Sequence, residues 1–406
     1  MPAHNIKIYG YRWLVLAVFM LAVMLNQIAW ITFAPITGEA AAFFGQSDLM
    51  IGLLSMVFMI VYIVAVLPAA WLIDTKGFRI AVGLGALLTA LGALGRGLFA
   101  RDFAPVFVFQ VVVAVGQPFV VGSITKLAAR WFPHDERALA SGLGTLAVYL
   151  GILCGLFFTP PLKTALGMEG MLLFWGVVAS AAFALFLILS REHPPTIPGP
   201  EGSESRTLVF TGLKQMLTDR GFILLLLIFF FGLGMFNGIT TWIEQILAPR
   251  GFNSDQAGVA GGLILAGGIT GAFVLPLISD KIRRRKPFLV LSLVGLIPGL
   301  VGLILARSYA LLLVSGFAFG FFLLSSGPIG FQYGAEITHP APEGTSNSFL
   351  ILMGQISGIV FIFLMDALRS PDGSMPVPLW GIVGLMGAAI VLSLFLRESP
   401  IHSRKK

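Results

Sequence analysis

The chain has 406 residues, of which 57% are hydrophobic and only 11% charged. No soluble domain has an interior large enough to hide that much apolar surface, so the solvent for most of this chain is lipid. The formal net charge of +7 sits on short loops between apolar runs, which positive-inside topology explains without a nucleic-acid partner.

Apolar segments of about 17–25 residues cross a bilayer as helices. Twelve are predicted, at 12–36, 50–73, 80–100, 104–131, 139–161, 169–190, 221–247, 256–279, 288–306, 309–335, 346–368 and 378–396. The first is longer than a signal core and lacks a small-residue cleavage pattern after it, so it reads as a span and not a cleaved leader.

Span one carries Asn26 and Trp30, which share a helix face as an i, i+4 pair, with Gln27 pointing about 100° away. Span two ends in Asp74-Thr-Lys-Gly-Phe-Arg79, and Arg96 lies toward the outer end of span three. Span four contains Gln117-Pro118 and ends in Lys126, Arg130 and Trp131, which read as interfacial anchors. Cys154, the only cysteine, lies in span five, which excludes a disulfide framework and a thiolate metal site.

Residues 191–220 are rich in Pro, Gly, Ser and charge and read as a cytoplasmic linker, with GLKQMLTDR near its end as a short surface helix. This separates a six-helix bundle at 1–190 from another at 221–406, the second ending in a short basic tail. Span seven carries Asn237 at mid-depth and Glu244 toward its outer end. Asp280-Lys-Ile-Arg283-Arg-Arg285 follows span eight, and Gln355 and Asp366 lie in span eleven. Proline breaks in GLIPGL of span nine and SSGPIG of span ten, like Gln117-Pro118, are expected bending points or packing kinks.

With both termini cytoplasmic, twenty of the 26 lysines and arginines fall on the inner side, which sets the orientation. The expectation is a multi-pass monomer of the plasma (inner) membrane, with the lipid bilayer and a small-molecule substrate as partners. No enzyme constellation or cofactor is expected. The five histidines fall in loops or tails, and no GxxxxGK[ST] sequence is present to bind ATP.

Polar side chains at lipid depth tend to face a bundle interior or a wet cavity. Asn26, Gln117, Asn237 and Gln355 are neutral amides that either line a site with Trp30 or bond neighbouring helices. Amide oxygens accept a hydroxyl or ammonium proton, and an indole face attracts a cation. No arginine sits at mid-depth to receive a di-anion. Glu244, Arg96 and Asp366 either bind a coupling proton and concentrate cations at a vestibule, or form solvated helix ends and an outer-gate ion pair.

The loops after spans two and eight repeat an aspartate followed by basic residues. In that respect the chain resembles the major facilitator superfamily, whose signature loop is matched by Asp74, Gly77 and Arg79, with Ala70 at its usual first glycine. The resemblance implies an all-α membrane protein of twelve helices in two pseudo-symmetric six-helix bundles, with alternating access. It also implies cytoplasmic gate contacts by Asp74, Arg79, Asp280 and Arg283.

Asn26-x-x-x-Trp30, the stretch 53–79, the segment from Gln117 to Phe132 and GPIGFQYGAEITHPAPEGTSNSFLILMGQISGI at 327–359 narrow the likeness. They resemble the feline leukaemia virus subgroup C receptor-related family, whose members are associated with choline, ethanolamine and haem, with a related branch linked to pyridoxine. The resemblance implies a substrate pocket at Asn26, Trp30, Gln117, Asn237 and Gln355. Asn237 replaces a tyrosine of the choline carriers, and Glu244 stands where they have an amide.

The expected function is therefore secondary-active or facilitative transport of a small polar or cationic organic solute, most simply a choline- or ethanolamine-like amine. The alternatives are proton-coupled carriage of a vitamin such as pyridoxine, a drug-like compound or haem, and a membrane receptor that moves nothing.

Overall fold

The computed structural model describes residues 8–133, 135–196, 216, 218–338 and 343–398. Among these residues there are helices and turns and no strand. The chain divides into two compact units, residues 1–202 and 203–406. Most of the expected linker 191–220, with its surface helix, lies outside the described residues, as do 339–342 of the 327–359 segment and the basic tail 399–406.

The first unit contains α1 (Tyr11–Ile31), α2 (Thr37–Phe44), α3 (Asp48–Lys76), α4 (Phe78–Leu98), α5 (Phe103–Val121), α6 (Ile124–Trp131) and α7 (Arg137–Leu189). A 3-10 turn at Ala34–Ile36, with Pro35 near its start, separates α1 from α2. Ser47 starts α3 by accepting from the Met50 amide at 3.3 Å. The break expected near Pro118 falls a few residues later, where α5 stops at Val121 and α6 begins at Ile124.

The second unit contains α8 (Arg220–Thr241), α9 (Ile243–Leu247), α10 (Ser254–Ile282), α11 (Lys286–Leu305), α12 (Tyr309–Thr338), α13 (Glu343–Ala367) and α14 (Pro376–Leu394). A 3-10 turn at Ala248–Arg250 follows α9. Asp219 caps α8 through the Phe222 amide at 2.8 Å, and Asn253 with Gln256 forms a capping box at α10. Pro298 and Pro328 lie inside α11 and α12, and both helices run on through them.

Among the described residues, eleven helical stretches are long and apolar enough to cross a membrane. One of them, Leu139–Leu189, holds two of the twelve expected spans. Gly167 divides it with φ 71° and ψ 175°, a conformation that glycine alone adopts without strain. Side chains such as Val64, Leu67 and Ile188 are exposed on the helix exteriors, as a lipid-facing surface requires.

Close helix approach holds each unit together. A Cβ on Gly116 would lie 2.6 Å from the Gly85 carbonyl, so α4 and α5 touch through backbone. In the second unit Gly271 and Gly320 bring α10 and α12 together in the same manner, each facing a main-chain carbonyl of the other helix. A larger cluster in the first unit packs Phe19, Phe78, Trp131, Phe132 and Phe186.

Candidate solute-contacting and gating residues

In the first unit the candidate residues separate by how their polar atoms are satisfied. Asn26 is fully buried, and its Nδ2 donates to Thr89 Oγ1 on α4 at 3.0 Å and to the Val113 carbonyl on α5 at 3.3 Å. Its Oδ1 accepts from Gln27 Nε2 at 3.3 Å. Asn26 thus directs its described hydrogen bonds to neighbouring helices and to Gln27. An amide in a lipid-depth span must find partners inside the protein, and this one joins α1 to α4 and α5.

Trp30 is buried, with its Nε1 donating to the Ser55 carbonyl on α3 at 3.0 Å. Gln117 on α5 differs from both. The residue is half-buried, and its Oε1 is sequestered with no hydrogen-bond partner among the described residues. An unpaired buried acceptor costs about 1–3 kcal/mol.

Arg96, expected at a vestibule or in an outer ion pair, makes its described hydrogen bonds with neutral groups. It is fully buried near the end of α4, and its Nη1 donates to the Ala29 carbonyl at 2.9 Å and to Gln110 Oε1 at 2.5 Å. Its Nε and Nη2 have no partner among the described residues. Gln110 on α5 is fully buried too, and its Nε2 donates to the carbonyls of Ala29 at 3.2 Å and Leu54 at 2.9 Å. Gln110 was absent from the expected set. Its signal is a lone amide in the apolar run VFVFQVVVAV, two helical turns before Gln117.

At the Asp74 end of this unit, Asp74 lies 3.9 Å from Lys126 Nζ. Arg79 directs its Nη2 to the Leu187 carbonyl at 3.3 Å. The carboxylate of Glu192 accepts from the backbone amides of Phe78 at 3.2 Å and Arg79 at 2.8 Å, capping α4. Gly77 makes this possible. It takes φ 86°, and any Cβ there would fall on the Glu192 carboxylate.

In the second unit Asn237 reaches the backbone next to Gln355. Asn237 Nδ2 donates to the Gly354 carbonyl at 3.3 Å, one residue before Gln355 on α13, and both side chains are half-buried. Five residues after Asn237, Trp242 Nε1 donates to the Ile362 carbonyl at 3.1 Å. Glu244 is buried on α9 and accepts from Gln245 Nε2 at 3.1 Å. Gln245 Oε1 accepts from Arg369 Nη2 at 2.6 Å, and Arg369 Nε donates to Gly373 at 2.9 Å. Asp366, half-buried, offers its carbonyl to the Arg369 amide at 3.0 Å. Glu244 is thus linked through Gln245 to the Arg369 side chain, and Asp366 touches Arg369 through the main chain.

Of the expected gate residues in this unit, Asp280 pairs with Arg285. Arg283 sits at φ 58° as the left-handed cap of α10 with its side chain exposed. Arg285 turns inward, where it pairs with Asp280 and places its Nη2 3.1 Å from Glu336 Oε1. Gln332 Nε2 also donates to that oxygen, at 3.1 Å. Burial pulls the Arg285 pKa down, but the hydrogen bonds to Asp280 and Glu336 outweigh it and the net shift is upward. Glu398 accepts from the backbone amides of Arg285 at 2.8 Å and Lys286 at 3.3 Å, as Glu192 does in the first unit.

Residues 19–362 match the Major Facilitator Superfamily. The chain belongs to that superfamily. Solute carrier family 49 member A3 of Danio rerio is 32% identical over 387 residues, covering 92% of this chain and 81% of that protein. The choline/ethanolamine transporter flvcr2b of Danio rerio is 26% identical, over 97% of this chain and 86% of its own length. The choline/ethanolamine transporter FLVCR2 of Rattus norvegicus is 28% identical, over 98% and 77%. These relatives agree with the feline leukaemia virus subgroup C receptor-related branch within the superfamily. A crystal structure of a bacterial homolog to the human lysosomal transporter Spinster, inward-facing and unoccupied, shares the fold. It has a TM-score of 0.76 at 19% identity and covers 96% of this chain and 95% of that one. The protein is a multi-pass membrane transporter.

Proposed function

We propose that the protein carries a small polar or cationic organic solute of the choline/ethanolamine class by alternating access. The observation that carries this reading is Gln117, a half-buried amide in a membrane span whose acceptor oxygen has no partner among the described residues. A neutral amide oxygen takes a hydroxyl or ammonium proton without adding a full charge. Asn26, Trp30, Asn237 and Gln355 are the further candidates for solute contact, and Asn237 supplies hydrogen bonding where an aromatic wall would enclose a quaternary ammonium. Asp74, Arg79 and Asp280 are proposed to stabilise one gate state, with Arg285 in the place assigned to Arg283. Plasma-membrane location, cytoplasmic termini and a monomeric carrier belong to the same proposal.

A second reading, proton coupling through Glu244, is favoured by the burial of that carboxylate beside Gln245. Uptake of labelled choline, ethanolamine and pyridoxine into proteoliposomes, with and without a pH gradient, tests both. The amine reading expects uptake of choline or ethanolamine that drops at least about tenfold in Gln117→Leu. Uptake equal to protein-free vesicles for all three solutes overturns it. Indifference to the gradient and to Glu244→Gln removes the coupled reading.

A further inference from the structure

Span one is interrupted two residues after Trp30. α1 ends at Ile31, and a 3-10 turn begins at Ala34. The last carbonyls of a helix have no partner within it, and in lipid they must be satisfied by other parts of the protein. Thr32 Oγ1 returns to the Ile28 carbonyl at 2.6 Å. The next carbonyl, that of Ala29, receives both Arg96 Nη1 and Gln110 Nε2.

This placement explains a buried guanidinium whose contacts are all to neutral groups. Its charge faces the negative end of the α1 dipole, and its centre lies 5.9 Å from the Phe33 ring. Gln110 then carries the contact onward. The same Nε2 reaches the Leu54 carbonyl of α3, and the next residue, Ser55, holds the Trp30 indole. Ala29 and Leu54 are each one residue before a member of the Trp30–Ser55 bond, so one side-chain amide grips the backbone on both sides of it.

We propose that Arg96 and Gln110 are positioning residues: together they cap the broken end of span one and fix the Trp30 indole relative to α3, without themselves touching solute. The proposal rests on the transporter reading for its kinetic consequence, and on geometry alone for the placement of Trp30. The substitution that separates positioning from simple stabilisation is Gln110→Glu. A carboxylate pairs with the Arg96 charge but has no proton to donate to Ala29 or Leu54, so the cation is compensated while the grip on Trp30 is lost.

The experiment labels the full-length chain with 5-fluorotryptophan and follows the Trp30 fluorine resonance, assigned by Trp30→Phe, with Trp242 as internal control. Gln110→Leu and Gln110→Glu are both expected to shift or broaden the Trp30 resonance and leave that of Trp242 in place. In uptake assays, KM for the transported amine should rise about tenfold with Vmax largely kept. Should neither Gln110 variant fold, Arg96→Lys carries the same test, since it keeps the charge and loses the fork that reaches Gln110. An unmoved Trp30 resonance in folded Gln110→Glu, or an equal change at Trp242, overturns the proposal. A shifted resonance in a protein that transports no amine supports the positioning role and defeats the solute reading instead.

Discussion

Trp30 and Trp242 end corresponding segments of the two units in the same way. Each indole donates to a main-chain carbonyl of a neighbouring helix in its own unit, Ser55 at 3.0 Å and Ile362 at 3.1 Å. Each is followed by an Ala-Pro pair, Ala34-Pro35 and Ala248-Pro249, that opens a 3-10 turn. Trp30→Phe and Trp242→Phe keep the apolar ring and delete only the donor. Each should lower stability by about 1 kcal/mol, measurable as a thermal shift in detergent. Unchanged melting in both would show that the indole donors contribute nothing to the fold.

Gly77 and Glu192 form a unit of two parts. Gly77→Ala forces a side chain onto φ 86° and into the Glu192 carboxylate, so it should destabilise by more than about 2 kcal/mol. In Gly77→Ala/Glu192→Ala the steric part of the loss disappears, and the double variant should be less damaged than the sum of the singles. Strict additivity in a thermal-shift cycle would contradict this coupling.

Arg283 occupies a left-handed position at φ 58° where glycine is unstrained. Arg283→Gly should raise stability by about 1 kcal/mol and leave uptake unchanged. A gating role for Arg283 predicts the opposite pattern, a loss of uptake with little gain in melting temperature.

Arg285 and Glu336 are a buried ion pair with side-chain exposures of 8% and 5%. Glu336→Gln leaves the guanidinium without that compensating charge and should cost about 3 kcal/mol. Because the folded Arg285 pKa is raised, its contribution is complete below the unfolded arginine value and disappears only as pH rises through the still higher folded one. Melting curves between about pH 6 and 9 should therefore show no loss traceable to Arg285.

Asp372 shows the reverse sign. Its Oδ1 accepts from the Ser374 hydroxyl at 2.6 Å and the Ser374 amide at 3.0 Å, and these bonds hold its carboxyl below the usual aspartate range. What it adds to the turn is present above the unfolded aspartate pKa and is lost as pH falls through the lower folded value. Hydrogen exchange at the Ser374 amide should be slowed at neutral pH and released in strong acid. Asp372→Ala should release it at every pH.

The spans were legible because hydropathy depends only on local composition, and the helices near Tyr11, Phe78 and Arg220 begin within about two residues of expectation. The site was legible in part. Asn26, Gln117, Asn237 and Gln355 announce themselves as amides in lipid, but which helix each faces depends on packing that one sequence does not state. That Asn26 bonds Thr89 and Val113 is a fact of packing between helices, which its place in the sequence does not state. Arg283 and Arg285 are two positions apart in a run of arginines, and only the left-handed turn at Arg283 decides which of them points inward. The tryptophan repeat is masked in the sequence because Trp30 follows Asn26 by four residues and Trp242 follows Asn237 by five.

Glu192 and Glu398 fasten the last residues of each helical unit to the start of its third long helix, through the amides of Phe78 and Arg79 in one and Arg285 and Lys286 in the other. Each unit is thereby knotted back on itself before the chain leaves it. Both partners of each fastening lie within one unit, so a cut in the chain between residues 196 and 216 would leave both sets of carboxylate-to-amide bonds in place.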